Sequence, residues 1–209
     1  MEQKVHSIIQ ILKDRYADAP CALHYTKDYE LMIAVRLSAQ CTDARVNLVT
    51  PGLFSDYPTL EAMAAADISD IERHVHSCGF YKHKARDIVL ACQMLIQKHS
   101  GKVPGTMEEL LELPGVGRKT ANLLLGDLYG APGSVVCDTH CIRICGRLGL
   151  SQGKDPEKVE RQLRVILPPE ESSDFCHRIV LFGREICTAR SPKCAECPLS
   201  MYCTEFVPQ

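Results

Sequence analysis

Leu113-Pro114-Gly115-Val116-Gly117-Arg118-Lys119-Thr120-Ala121 decides how the chain is read. Before it, Thr106-Met107-Glu108-Glu109 has the form of a capping box, the start of a short helix. After it, an apolar stripe continues through Tyr129 as a second helix. Between them, Gly115 and Gly117 permit a tight turn with positive φ and keep side chains away from the backbone N–H groups. Those N–H groups, with the positive end of the second helix, make a site for an anion such as phosphate. An isolated Gly-x-Gly would fit any helix-helix turn. Followed at once by Arg118 and Lys119, between two signalled helices, it points to a helix-hairpin-helix at about 106–129 that grips the DNA backbone without reading sequence.

Lys119 falls in the first turn of that second helix, where a cation opposes the helix dipole. Arg118 and the helix terminus both disfavour its charged form. A neutral lysine amine is a nucleophile. The residues alone leave two roles open, nucleophile or phosphate ligand.

The rest of the chain is helical in texture. Asp67 caps a helix over 68–77, with Gly79 suited to the left-handed position after it. Ile88, Ala91, Cys92, Leu95 and Ile96 form one apolar face, closed by Gly101. Leu31, Val35 and Ala39 indicate a helix that ends near Gln40. Pro51 is expected to kink or end the helix opened by Thr42-Asp43. Asp155-Pro156 starts another helix, with Val159, Leu163 and Ile166 on its buried side. Phe175, Ile179, Phe182 and Ile186 line the next. Ser134–Val136 is the one short candidate strand. The fold expected is all-α, with ten or so short helices.

The 209 residues carry a net charge of −2 and are 45% hydrophobic, an ordinary globular balance. No apolar run reaches the ~18 residues of a membrane span, and Met1-Glu2-Gln3-Lys4 does not open a secretory signal. A soluble, cytoplasmic protein without a targeting signal is expected. Its twelve cysteines are then thiols or metal ligands rather than a disulfide framework. Cys92, Cys141, Cys145 and Cys176 fall on apolar faces and read as core. Cys187, Cys194, Cys197 and Cys203 are different, because they stand as Cys-x6-Cys-x2-Cys-x5-Cys in seventeen residues. Zinc ribbons offer two close pairs. One close pair with two flanking singletons suits a cubane iron–sulfur cluster better.

The net charge announces no polyanion partner, so DNA affinity has to come from a local face. Three basic groups each adjoin a motif: Lys82, Lys84 and Arg86; Arg118 with Lys119; Arg190 and Lys193 between the first two cluster cysteines. Asp138, ahead of Thr139 and His140, can cap a helix, and a carboxylate there is also placed to stabilise a developing cation.

Taken together, Leu-Pro-Gly-Val-Gly-Arg-Lys-Thr-Ala, Asp138-Thr139-His140, the four-cysteine spacing and Leu37-Ser38-Ala39-Gln40 resemble the endonuclease III family of DNA glycosylases, in order and over nearly the whole chain. The resemblance implies a barrel of helices at 21–132. It implies a second domain from residues 1–20 and 133–209 that holds a 4Fe-4S cluster. It implies a bifunctional DNA glycosylase and abasic-site lyase of base excision repair, acting on oxidised pyrimidines in double-stranded DNA, as a monomer at the bacterial nucleoid. Lys119 matches the family's nucleophile, Asp138 its catalytic aspartate, and Gln40 the residue that fills the gap left by the flipped base. Phe80 stands where the family often has a leucine wedge, and Cys137 where an aliphatic residue is usual. Gly115, Gly117, Arg118, His140, Lys82, Lys84, Arg190 and Lys193 are the further DNA contacts expected. A monofunctional adenine or mismatch glycosylase is the rival reading, and relatives of that kind lack the lysine at 119. A non-catalytic iron–sulfur DNA-binding protein is the other rival, disfavoured by Lys119 and Asp138 together.

Overall fold

A computed structural model describes residues 1–206. Among them are eleven α-helices, four short 3-10 turns and no strand. The backbone divides into two compact units, Cys21–Tyr129 and Met1–Pro20 with Gly130–Gln209.

In the first unit, α2 (Asp28–Ser38) is the axis. Leu31, Met32, Ile33, Ala34, Val35 and Leu37 are all buried. A helix apolar on every side has to be enclosed, and α3 (Asp43–Asp56), α6 (Tyr81–His99) and α8 (Arg118–Tyr129) pack around it. Its entry is fixed by Glu30, whose carboxylate accepts from Thr26 N–H and hydroxyl at 2.8 Å each and from Lys27 N–H at 3.2 Å. The short helices α4 (Leu60–Ala64) and α5 (Ile68–Val75) lie against α6. In α7 (Met107–Glu112) the Thr106 hydroxyl accepts from Glu109 N–H and donates to the Glu109 carboxylate at 2.7 Å.

Two positions depart from their local signals. Pro51 does not end α3, because Val46, Thr50 and Leu53 are buried on one side while Pro51 and Gly52 face solvent. Packing on both flanks holds the helix through the missing N–H. Ile96 is 39% exposed and lies off the buried stripe of α6.

In the second unit, α11 (Ser172–Glu185) packs against α1 (Glu2–Arg15) and α9 (Thr139–Arg147). Gly183 allows the α9 approach: a Cβ there would meet His140 Nδ1 at 2.5 Å and Ile144 Cδ1 at 2.8 Å. Asp155 caps α10 (Pro156–Ile166) by accepting from Lys158 N–H at 2.8 Å. Ser134–Val136 is buried but forms no strand, and Val136 N–H donates to the Cys176 thiol at 3.3 Å instead of to a neighbouring backbone.

Candidate functional site

In the first unit the hairpin turn runs from Leu113 to Gly117 between α7 and α8. Gly115 has φ +78°, and any Cβ there would lie 2.4 Å from Arg36 Nε and 2.8 Å from Asp87 Oδ2. Arg36 and Asp87 are paired, the guanidinium donating through Nε at 2.8 Å and a terminal nitrogen at 2.7 Å. The turn therefore sits on an ion pair drawn from α2 and α6, fifty-one residues apart in sequence, which no local motif announces. Gly117 differs: its φ is not positive and a Cβ would meet nothing within 4 Å. The turn surface at Gly117 is therefore bare. Lys119 is exposed in the first turn of α8, beside the half-buried Arg118.

Two loops of the same unit carry Gln40 and Phe80. Both side chains are exposed, Phe80 at 64%, and both residues have positive φ, 53° and 47°. The expected left-handed residue was Gly79. It instead takes φ 64°, ψ 152°, a conformation essentially open only to glycine, and Phe80 itself is left-handed. A large aromatic ring held in the open on a left-handed backbone is an uncommon arrangement.

Lys84 corrects the sequence reading. Sequence proximity groups it with Lys82 and Arg86 as a surface cation, but it is 1% exposed. Helical period explains this: Lys84, Ile88, Cys92 and Leu95 are all buried on one face of α6, while Lys82 and Arg86 are exposed. Its ammonium donates to Leu37 O at 2.8 Å and Cys78 O at 2.6 Å, so it cannot be a phosphate contact. Extending the apolar stripe one turn back from Ile88 was the signal available.

In the second unit Asp138 caps α9, accepting from Cys141 N–H at 2.7 Å. His140 stands in the first turn of that helix, its Nδ1 3.2 Å from an Arg143 guanidinium nitrogen. Arg143 also donates to Cys187 O at 2.9 Å.

Cys187, Cys194, Cys197 and Cys203 line one cavity of about 90 Å³, with Arg147, Ile186 and Phe206 among its other walls. A chain of tight turns brings them there, through Cys197 N–H to Cys194 O, Ser200 N–H to Cys197 O and Cys203 N–H to Ser200 O. Among the described residues no three His, Cys, Asp or Glu side chains are grouped to hold one metal ion. Four thiols lining one cavity fit a thiolate-held iron–sulfur cluster. Arg147, which the sequence reading missed, donates to Cys187 Sγ at 3.2 Å and to Thr188 O at 3.2 Å. A cation there offsets the negative charge of a thiolate-held cluster. Arg190 and Lys193 are both exposed in the loop after Cys187, and Lys193 N–H closes that loop on Ile186 O at 2.9 Å.

Residues 33–169 match the model of the HhH-GPD superfamily base excision DNA repair proteins, and residues 187–203 match the iron–sulfur binding domain of endonuclease III. The chain is 45% identical to endonuclease III of Synechocystis, over 97% of this chain and 92% of the relative. It belongs to the endonuclease III family. Endonuclease III of Bacillus subtilis is 40% identical over 97% and 93% of the two chains. A solved endonuclease III trapped as a covalent intermediate with DNA superposes with a TM-score of 0.92, at 42% identity, covering 98% of this chain and 96% of that one. With the match to an iron–sulfur binding domain over 187–203, the chain carries a 4Fe-4S cluster, for which the four cysteines of the cavity are the candidate ligands. No helix among the described residues is long and apolar enough to cross a membrane.

Proposed function

We propose that this protein is a DNA glycosylase and abasic-site lyase that removes oxidised pyrimidines from double-stranded DNA, with Lys119 as nucleophile. The observation that carries the reading is an exposed lysine in the first turn of the helix that follows the Gly115 turn, in a chain of the endonuclease III family.

A base within a duplex is out of reach, so the nucleotide is first extruded, at a cost of a few kcal/mol. Phe80 enters the stack as the wedge, and Gln40 bonds the orphaned partner base. The Lys119 amine then attacks C1′, forming a C–N bond as the glycosidic bond breaks. The base leaves with the electron pair and takes up a proton. Asp138 stabilises positive charge on the sugar and assists the proton transfers. Ring opening gives an iminium at C1′. Loss of a C2′ proton then expels the 3′ phosphate and cuts the strand. One lysine thus accounts for both base release and strand cleavage.

The backbone N–H groups of Gly115 and Gly117 hold a phosphate, while that of Val116 is spent on Leu113 O within the turn. Arg118, Lys82, His140, Arg190 and Lys193 supply further contacts, while Lys84 is excluded by its burial. Bound to its four cysteines, the cluster supplies metal–thiolate links that fix the 188–193 loop. The protein acts as a monomer at the nucleoid.

Borohydride added to the protein with a duplex carrying an oxidised pyrimidine should capture a covalent protein–DNA adduct. A protein that releases the base without forming an adduct is a monofunctional glycosylase. One that binds the duplex and releases no base is a non-catalytic binder.

A further inference from the structure

The mechanism leaves Lys84 without a task, although it buries a cation at 1% exposure. Burying an ammonium is unfavourable unless its donors are satisfied, and an apolar residue would pack that stripe of α6 at less cost. The two acceptors show what the charge joins. Leu37 lies at the end of α2, three residues before Gln40. Cys78 ends the 3-10 turn His76–Cys78, two residues before Phe80. Carbonyls at helix ends lack intrahelical partners, and a cation there also suits the helix dipole. One ammonium therefore ties together the roots of two loops.

Those loops hold two of the three non-glycine residues with positive φ among the described residues, Gln40 and Phe80. The third, Ser100, is an ordinary helix end. A positive φ in a glutamine or a phenylalanine persists only where the surroundings impose it. Burial lowers the pKa of the Lys84 ammonium below its ordinary value.

We infer that Lys84 is a positioning residue that fixes the Gln40 and Phe80 loops relative to each other for entry into the duplex. This rests on reading Gln40 as gap-filler and Phe80 as wedge. Lys84 touches no reacting atom, so its removal should damage extrusion and spare chemistry.

The test is Lys84→Met, close in volume and without charge, with folding checked by circular dichroism and by the visible band of the cluster. Turnover is measured on two duplexes with the same oxidised pyrimidine. In one the lesion is fully paired. In the other it sits in a single-nucleotide bulge with no partner base, so that little unstacking remains to be done. On the paired duplex turnover should fall about ten-fold or more, the factor that one hydrogen bond from a charged donor is worth. On the bulged duplex it should stay close to wild type. The loss should also fail to add to that of Phe80→Ala, since both act on one step. Equal losses on both duplexes would mean that Lys84 only stabilises the fold, and no loss on either would mean that the tie is idle; each overturns the inference. Where Lys84→Met does not fold, Lys84→Arg keeps the buried charge but displaces the donors, and the same split between substrates decides. A wild-type protein that borohydride does not trap sinks the enzymatic reading instead, whatever the variants do.

Discussion

The Asp138 carboxylate accepts a 2.7 Å hydrogen bond from the Cys141 backbone N–H, so one side chain both caps α9 and stands as the proposed catalytic carboxylate. The two roles separate by substitution. Asparagine is as good a cap as aspartate but carries no charge. Asp138→Asn should leave the melting temperature nearly unchanged and slow base release by ~10²-fold or more. Single-turnover release beside thermal melting checks both. A near-normal rate would reduce Asp138 to a cap.

Lys119→Ala should abolish borohydride trapping and strand cleavage. Lys119 is exposed, so stability should change by less than ~0.5 kcal/mol, and duplex binding should persist. Undiminished trapping would show that another amine is the nucleophile.

The two hairpin glycines should fail in different ways. In Gly115→Ala the new Cβ would meet the Arg36–Asp87 pair at a positive φ. A loss of about 1–3 kcal/mol of stability is expected, with weaker DNA binding. In Gly117→Ala the Cβ has open space, so stability should hold. Affinity for the duplex should still drop, because a methyl group stands where a phosphate approaches the backbone. Denaturation curves and binding isotherms on both variants test the contrast. Equal stability losses would contradict it.

Cys197→Ser should bleach the visible band of the cluster and loosen the 188–193 loop, lowering DNA affinity with Lys119 and Asp138 untouched. Wild-type protein prepared without air should contain about four irons and four sulfides per chain. One zinc and no sulfide would withdraw the cubane assignment.

Stability should depend on Glu30 in a defined pH window. Burial alone would raise its carboxyl, but bonds from Thr26 and Lys27 outweigh it and hold it below its ordinary 4.5. The unfolded state therefore takes up the proton first. The contribution is complete above about pH 4.5 and is lost as pH falls through the lower folded value. Glu30→Gln should cost about 1–2 kcal/mol at pH 7. The gap to wild type should narrow by pH 3 in urea titrations. A gap constant across that range would mean that charge is not what Glu30 contributes.

The helices, their caps and the hairpin were legible in the sequence because they rest on local physics. Thr106 and Glu109, Asp155 and Lys158, and the Phe175–Ile186 stripe act over three or four residues, where helical period sets the contacts. The cysteine spacing was legible for the same reason: four thiols in seventeen residues can meet in one cavity through short turns. What the tertiary structure decided lay across distance. Pro51 stays inside α3 because of what packs on its flanks. Arg36 and Asp87 meet beneath Gly115 from helices far apart in sequence. Arg147 reaches Cys187 forty residues away. Lys84 turned from a surface cation into a buried tie between two loops, since its face is set by the register of α6 and its acceptors by how α2 and the 76–78 turn end against it. A sequence fixes period and chemistry residue by residue, but which carbonyl lies opposite a buried ammonium is settled only when the helices pack.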